Sequence, residues 1–356
     1  MNEEVHAVVA DLLTSAQADP AGGSWSEATE RPVFDRLVAE GWTRVGLAES
    51  LGGSGGDIHD AAAVVAACAG SGHLLPAAEV VISAARLLEL AQLELPADAQ
   101  CPIPLMTPGS RDEAGRVRVR TQRVPWARWA SHFLVLVADG DQTLVASIDA
   151  TTADVSPGRN LADEPRDDVT VHGVTPTAMA VVPRPLDEVL AQLRLAGALA
   201  RSVQMAAAIE SVLELTTRYC GDRRQFGRRI REFQAVQQEL AALTGESAAA
   251  TAALTHALAH LPAPLGWPVA PIATAKIRTG MAATRAARSG HQLHGAIGIT
   301  LEYPLQKFTR QLWSWRDEYG TEYEWAGLLH ADVVTDHASA WERLAPVESD
   351  DPVPVR

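Results

Sequence analysis

The sequence has 356 residues, of which 47% are hydrophobic and 21% charged, a balance typical of a globular protein with a sizeable core. Its formal net charge of −14 argues against nucleic-acid binding, because an acidic surface repels a phosphate backbone. No uncharged apolar run is long enough to cross a bilayer, and the start lacks a secretory leader, so we expect a cytoplasmic protein without membrane contact. Cys68, Cys101 and Cys220 lie far apart without metal-ligand spacing, which predicts reduced, buried thiols.

Residues 1–105 are predicted to form an N-terminal helical domain. The segments "EEVHAVVADLLTSA", "RPVFDRLVAEGW" and "IHDAAAVVAACAG" carry apolar residues at helical spacing. The glycine-rich segment "GGSGG" at 52–56 is compatible with a phosphate loop or with a turn. Because no Gly-Lys-Ser/Thr follows it and no β-rich run precedes it, the turn is favoured.

Residues 106–184 are predicted to form a small antiparallel β domain. Five short runs favour strands, namely "RVRVRTQ", "HFLVLVA", "TLVASID", "VTVHG" and "MAVV". Glycine, aspartate and proline separate these runs, as in a sheet built from consecutive strands. The segment "PRPLDE" at 183–188 then predicts the end of the sheet and the start of a helix.

Residues 185–346 are predicted to form a C-terminal four-helix bundle, followed by a tail at 347–356. Four segments support it: "LDEVLAQLRLAGALARSVQMAAAIESVLELTTRY", "FQAVQQELAALTGESAAATAALTHALAHL", "IATAKIRTGMAATRAARSGHQLHG" and "WAGLLHADVVTDHASAWERL". The fold class is therefore predicted as mainly α with a small β domain, in the order helical domain, middle sheet, helical bundle.

The sequence resembles the flavin-dependent acyl-CoA dehydrogenases across nearly its whole length. The segment "RRQFGRRIREFQAVQQELA" is similar to that family's Arg-x-x-Phe-Gly-x-x-Ile-x-x-Phe-Gln signature between two bundle helices. A second segment, "HQLHGAIGITLEYPLQKFTR", is similar to the family's Gln-x-x-Gly-Gly-x-Gly segment and the Tyr-Pro that follows it. "EGWTRVGLAESLGGSGG" is a weaker match to an N-terminal stretch of the family. The order of these segments agrees with the fold that the resemblance implies.

The resemblance implies that the cofactor FAD lies at a subunit interface and is contacted by the Arg-x-x-Phe-Gly turn of the neighbouring subunit. The residue types suit this role, because an arginine fork matches a diphosphate, a phenyl ring offers a flat apolar face and Gly227 permits a sharp turn. By this resemblance the cofactor-binding residues are Arg223, Gln225, Phe226, Gln292, Gly295 and Ala296, the last in place of the family's second glycine.

The other charged residues and histidines of these segments favour simpler interpretations. Arg224, Arg228, Arg229 and Arg231 are expected to be solvated or paired with Asp222 and Glu232, contacts that contribute about 0–1 kcal/mol. His291 and His294 flank Gln292 without an evident third ligand, so packing is favoured over a metal site, and no metal is expected.

The sequence departs from the family at the catalytic base. Counting forward from Tyr303-Pro304 places Tyr319 where the family has its base, with Glu318 one position earlier. A tyrosine with an ordinary pKa near 10 is a poor base at neutral pH, so Glu318 is the candidate catalytic residue if the loop turns differently. "QLRLAGALARSVQ" on the first bundle helix carries no alternative carboxylate. The short middle domain also lacks most of the family's flavin-contacting motifs.

The residues that would serve a neighbour's cofactor are thus kept, while those for the chain's own flavin ring are lost. This combination resembles the smaller subunit of the heterotetrameric acyl-CoA dehydrogenases of actinobacterial steroid and side-chain degradation. The resemblance implies a second subunit of the same family, a bulky acyl-CoA substrate and an electron-transfer acceptor. Two alternatives stay open: a self-sufficient homomeric enzyme with Glu318 as base, and a non-catalytic assembly or acyl-CoA-binding subunit.

Overall fold

The computed structural model describes residues 1–15, 26–261 and 266–334. The predicted tail at 347–356 and the last part of the predicted fourth bundle helix lie outside these residues. The predicted fold class, mainly α with a sheet between two helical parts, is confirmed. Within the described ranges, no helix combines the length and apolar character that a membrane span requires.

The N-terminal part consists of helices that pack their apolar faces together. They are α1 (Glu3–Ser15), α2 (Glu27–Ala39), α3 (Ile58–Ser71) and α4 (Ala85–Ala91). A seven-residue π-helix, Ala78–Ala84, runs directly into α4. The glycine-rich segment forms a turn, after which Asp57 caps α3 by accepting hydrogen bonds from the backbone amides of His59 and Asp60. The capping carboxylate explains why α3 begins directly after this turn.

The middle part is a seven-stranded sheet in the order β5-β6-β2-β1-β3-β4-β7. Its strands are β1 (Pro102–Arg111), β2 (Val117–Pro125), β3 (His132–Asp139), β4 (Gln142–Asp149), β5 (Asp154–Ser156), β6 (Arg166–Val174) and β7 (Ala178–Val182). All pairs are antiparallel except β1 and β3, which run parallel. The antiparallel sheet is therefore confirmed with one exception. The first strand also begins at Pro102, before the predicted boundary at residue 106.

The C-terminal part is a set of long helices joined by short segments. They are α5 (Leu186–Asp222), α6 (Gln234–Ala259), α7 (Val269–His294), α8 (Leu305–Asp317) and α9 (Glu322–Val334). Between α5 and α6 the chain forms two short strands, β8 (Arg224–Gln225) and β9 (Arg228–Arg229). The sequence predicts four of these helices, and α8 is an addition. Its buried face includes Leu305, Phe308, Leu312 and Trp315.

Helix α5 connects the three parts of the protein, since it packs against α3, the π-helix, the sheet, α6, α7 and α8. Its central stretch is buried and rich in small residues, which allows neighbouring helices to approach closely. The segment after α8 is fixed from the opposite side. The buried Lys276 amine on α7 donates hydrogen bonds to the carbonyl oxygens of Arg316 and, at 3.1 Å, of Gly320. Residues 317–320 are thereby held between α5 and α7.

Candidate functional site

A tight hairpin formed by β8 and β9 lies at the junction of α5 and α6. Its two central residues, Phe226 and Gly227, have φ angles of 52° and 80°. Positive φ at both central positions is typical of a two-residue turn whose twist matches that of the flanking strands, and it favours glycine at the second position. A phenylalanine at positive φ is uncommon and strained. The side chain of Phe226 is nevertheless 91% exposed, so packing within the chain does not explain this conformation.

The hairpin forms one wall of a surface pocket of about 500 Å³, which we call the hairpin pocket. The beginning of α6 and the C-terminal half of α7 form its other walls. The residues lining it are Gln225, Phe226, Ile230, Phe233, Ala235, Val236, Glu239, Arg285, Arg288, Gln292 and Leu293. Three of the residues predicted to bind the cofactor, Gln225, Phe226 and Gln292, therefore come together here, although they belong to different elements.

The other three predicted cofactor residues lie beside this pocket and do not line it. The backbone amide of Arg223 donates to the carbonyl oxygen of Tyr219 at 2.9 Å, and its own carbonyl accepts from the amide of Ile230 at 2.9 Å. The first bond ends α5, and the second closes the base of the hairpin. Gly295 ends α7 with φ 65° and ψ −144°, a conformation restricted to glycine, and Ala296 is exposed directly after it.

Four polar or aromatic residues of the hairpin pocket were not predicted from the sequence, namely Phe233, Glu239, Arg285 and Arg288. The rings of Phe226 and Phe233 meet edge to face with centroids 6.2 Å apart. On the opposite wall, Arg285 forms an ion pair with Glu239 at 2.9 Å, and Arg288 lies close by on α7. The spacing of positions 285, 288 and 292 places them on one helix face, so helical periodicity was the signal that could have found both arginines.

A second depression lies between the sheet and the bundle, and we call it the sheet–bundle cleft. It encloses about 340 Å³. Its walls include Met106 on β1, Thr121 and Arg123 on β2, and residues 317–320 after α8. Tyr319, at the position predicted for the family's base, and Glu318, one residue earlier, both lie in this cleft.

Glu318 belongs to a buried charge cluster formed by Glu79, Glu164, Arg166, Arg201 and Glu318. Its Oε1 accepts from Arg166 Nε at 2.7 Å, and its Oε2 accepts from Arg201 Nε at 2.7 Å. Arg201 also binds Glu79 at 2.5 Å, and Arg166 binds Glu164 at 3.0 Å. The cluster thereby joins the π-helix, the loop before β6, β6, α5 and the segment after α8.

The two arginines control the ionisation of Glu318. Burial alone would raise the pKa of this carboxyl group, but Arg166 and Arg201 outweigh burial and lower its pKa to about 2. A carboxylate this acidic has little tendency to take a proton at neutral pH. The catalytic role of Glu318 stays a prediction, and its geometry argues against it.

Tyr319 fills the space beside α5. Its backbone has φ 59°, and its ring approaches Gly197 so closely that no larger residue could stand there without a shift. The Arg201 guanidinium lies 5.4 Å from the centre of the ring. Burial raises the pKa of Tyr319 to about 12, despite the opposing effect of Arg201. The phenol is therefore neutral at physiological pH and unsuited to act as a base.

The two histidines beside Gln292 make local contacts. His291 Nε2 and the Thr309 hydroxyl are 2.9 Å apart. His294 Nδ1 lies 2.8 Å from the carbonyl oxygen of Gly290, and its ring stacks on Tyr219 with centroids 4.5 Å apart. Burial lowers the pKa of both imidazoles. Within the described part of the chain, no group of three histidine, cysteine, aspartate or glutamate side chains could hold a metal ion.

Comparison with known proteins identifies the segment that contains these residues. Residues 190–322 match the family described as acyl-CoA dehydrogenase, C-terminal domain. This segment is therefore similar to the C-terminal domain of acyl-CoA dehydrogenases. It includes the hairpin, both walls of the hairpin pocket and Tyr319, so the resemblance predicted from the sequence is confirmed.

Curated relatives align with parts of this chain. Acyl-CoA dehydrogenase IpdE2 of Mycobacterium tuberculosis is 36% identical over 110 residues, or 31% of this chain and 33% of that protein. Benzylmalonyl-CoA dehydrogenase of Aromatoleum aromaticum is 34% identical over 129 residues, or 36% of this chain and 32% of that protein. The aligned segment thus spans about a third of the length of these relatives.

Solved structures share the fold of the whole chain. A chain of the ChsE4-ChsE5 complex from Mycobacterium tuberculosis superposes with a TM-score of 0.80 at 19% identity, covering 95% of this chain and 99% of that one. A chain of the Tcur3481-Tcur3483 steroid acyl-CoA dehydrogenase superposes with a TM-score of 0.77 at 18% identity, covering 92% and 96%. The acyl-CoA dehydrogenase fold therefore extends beyond the C-terminal domain to the sheet and the N-terminal helices.

Acyl-CoA dehydrogenases generally bind FAD, and the two depressions differ in how well they suit it. The hairpin pocket presents two phenyl rings, two glutamine amides and arginine side chains, a set that fits the flat base and the anionic phosphates of a dinucleotide. The sheet–bundle cleft offers an ion-paired Glu318 and a buried, neutral Tyr319 where the family has its base. Its residues do not fit the proton-abstracting half of the reaction.

Proposed function

We propose that this chain is one subunit of a flavin-dependent acyl-CoA dehydrogenase complex. In this proposal the hairpin pocket contacts the adenosine diphosphate end of an FAD whose flavin ring lies in a partner subunit of the same family. When bound, FAD accepts the hydride from the β carbon of an acyl-CoA thioester while the partner's base removes the α proton, giving a 2,3-enoyl-CoA. An electron-transfer acceptor then reoxidises the flavin.

The observation that carries the proposal is the contrast between the two depressions. The hairpin pocket is open to solvent and contains a strained, exposed phenylalanine, as expected of a surface completed by another molecule. In the sheet–bundle cleft, by contrast, Glu318 is paired with two arginines, Arg166 and Arg201. A chain with these features is suited to assist a neighbouring site and lacks a base for its own.

The partner is proposed to form a heterotetramer with this chain in the cytoplasm. Two of the structures with the same fold are named after pairs of chains, and one of them is described as a steroid acyl-CoA dehydrogenase. These descriptions favour a bulky acyl group, such as a steroid side chain, as the substrate of the complex. In this proposal only the partner's cleft is catalytic, and the loss of the second catalytic cleft leaves more room for such a substrate.

The proposal is tested by co-expressing this chain with any neighbouring gene whose product belongs to the acyl-CoA dehydrogenase family and purifying the complex. We expect a yellow complex with about one FAD per pair of chains, and acyl-CoA-dependent bleaching of the flavin absorbance. A mixture that neither associates nor binds flavin would contradict the proposal. Tight flavin binding by this chain alone, with activity abolished in Glu318→Gln, would instead favour the homomeric enzyme.

A further inference from the structure

The hairpin pocket contains two arginines on α7 that differ in their electrostatic surroundings. Arg285 forms an ion pair with one oxygen of Glu239 at 2.9 Å, and the other oxygen of Glu239 accepts a hydrogen bond from the Ser289 hydroxyl at 2.6 Å. The charge of Arg285 is therefore offset within the chain. Glu239 in turn has both of its oxygens engaged and is fixed in place on α6.

Arg288 has no such partner. It is exposed, and among the residues that the structure describes it forms no ion pair and no hydrogen bond. It lies one turn before Gln292 on the same face of α7, and both side chains line the hairpin pocket. Glu239 is the one carboxylate among the lining residues, and it is already paired with Arg285. The pocket thus contains a cation whose charge is not offset.

The opposite wall is aromatic. The rings of Phe226 and Phe233 meet there edge to face, and the guanidinium of Arg228 lies 4.0 Å from the centre of the Phe233 ring. An aromatic wall that faces an unpaired arginine suits a ligand with a planar base at one end and a strong anion at the other. A nucleoside diphosphate has this shape and charge.

We propose that Arg288 is a phosphate-contacting residue of the hairpin pocket, and that it determines the preference of this pocket for a nucleoside diphosphate over a nucleoside. The identification of this ligand with part of FAD rests on the function proposed above. Arg285, held by Glu239, which Ser289 fixes in turn, is a positioning residue that shapes the wall beside Arg288. Arg223 supports the hairpin from its base through its backbone hydrogen bonds.

The inference is tested by titrating the full chain with ADP and with adenosine, which lacks the phosphates. A hydrogen bond to a charged group implies that the native chain binds ADP roughly 10- to 100-fold more tightly than adenosine. In Arg288→Gln this ratio should fall below about threefold, with adenosine binding unchanged, since the aromatic wall is intact. Arg288→Lys keeps the charge and should recover part of the ratio.

Arg224→Gln is the matched control, because Arg224 is also exposed and lies on β8 but does not line the pocket. Arg224→Gln should keep the native ratio of ADP affinity to adenosine affinity at low salt. Added salt should reduce this ratio in the native chain more than in Arg288→Gln. An unchanged ratio in Arg288→Gln, an equal loss in Arg224→Gln, or no preference for ADP in the native chain would overturn the inference. If the complex with the partner subunit is yellow but Arg288→Gln keeps the native preference for ADP over adenosine, this inference is wrong and the proposed function still holds.

Discussion

The ring of Tyr319 lies directly against the α carbon of Gly197, so that a β carbon at position 197 would stand 2.3 Å from two atoms of the ring. Real β carbons do not approach other atoms this closely, so the glycine is what admits the ring. Tyr319 occupies the family's base position, and Gly197 lies in the buried middle of α5. The ring of Tyr319 therefore fills the space between the sheet–bundle cleft and α5.

We expect Gly197→Ala to destabilise the fold. In a helix without close neighbours this change stabilises by up to about 1 kcal/mol, but here the overlap with Tyr319 should reverse the sign and cost about 1–3 kcal/mol. Urea unfolding of the chain measures the difference. Gly245→Ala is the control, since Gly245 lies in α6 and a β carbon there would have no other atom within 4 Å. This change should be neutral or stabilising.

The double variant Gly197→Ala with Tyr319→Gly separates this overlap from other causes. Glycine accepts the positive φ of position 319, and removing the ring removes the overlap. The two changes should therefore be non-additive, with a favourable coupling of roughly 1 kcal/mol or more. Strict additivity would mean that the ring and α5 do not compete for the same space.

A second prediction concerns the charge cluster. Arg201→Met leaves Glu79 and Glu318 without their shared arginine in a buried environment, so we expect a loss of about 3–5 kcal/mol in the free energy of unfolding. Arg218→Met on the same helix removes an exposed pair with Glu214 and should change stability by less than about 0.5 kcal/mol. Chemical denaturation of both variants checks the contrast, and losses of similar size would contradict the role given to the cluster.

The sequence predicts those parts of the fold that depend on local patterns. Five short runs of strand-favouring residues correspond to β2, β3, β4, β6 and β7, whereas β1 escapes this pattern because prolines at 102, 104 and 108 interrupt it. In the turn between β8 and β9, Gly227 is predictable because glycine permits a positive φ, whereas the strained Phe226 is not. The charge cluster is not, because tertiary packing brings its members together from positions as distant as Glu79 and Glu318. Arg288 escapes prediction because the family signature does not include it.

A third prediction concerns pH. The pKa of Glu318 is about 2 in the folded protein, against an ordinary value of 4.5 that applies to the unfolded chain, so its stabilising contribution is complete above about pH 5 and is lost as the pH falls toward 2. The stability difference between the native chain and Glu318→Gln should be about 2–3 kcal/mol at pH 6 and should shrink between pH 5 and pH 3. Burial raises the pKa of Glu164, so the pH dependence of stability that this residue contributes has the opposite sign. Glu164 is present in both proteins. A difference that is independent of pH would exclude ionised Glu318 as its source.

The final prediction separates the stability of the chain from its contribution to the complex. Phe226→Gly removes an exposed ring and relieves a strained backbone, so the isolated chain should be as stable as the native one, or more stable by up to about 1 kcal/mol. In the complex with the partner subunit, the loss of the aromatic wall should weaken FAD binding roughly tenfold. Fluorescence titration of the flavin-free complex with FAD measures this change.

Tyr323→Ala is the control for this prediction, because Tyr323 is also highly exposed but lies on α9, outside the hairpin pocket. It should leave FAD binding unchanged. If Phe226→Gly binds FAD like the native complex, the hairpin pocket does not hold the cofactor. If it instead unfolds the isolated chain, the ring serves the fold. Only unimpaired stability together with weakened FAD binding agrees with a strained residue that is retained for a ligand, since neither local packing nor backbone preference explains a phenylalanine at this turn.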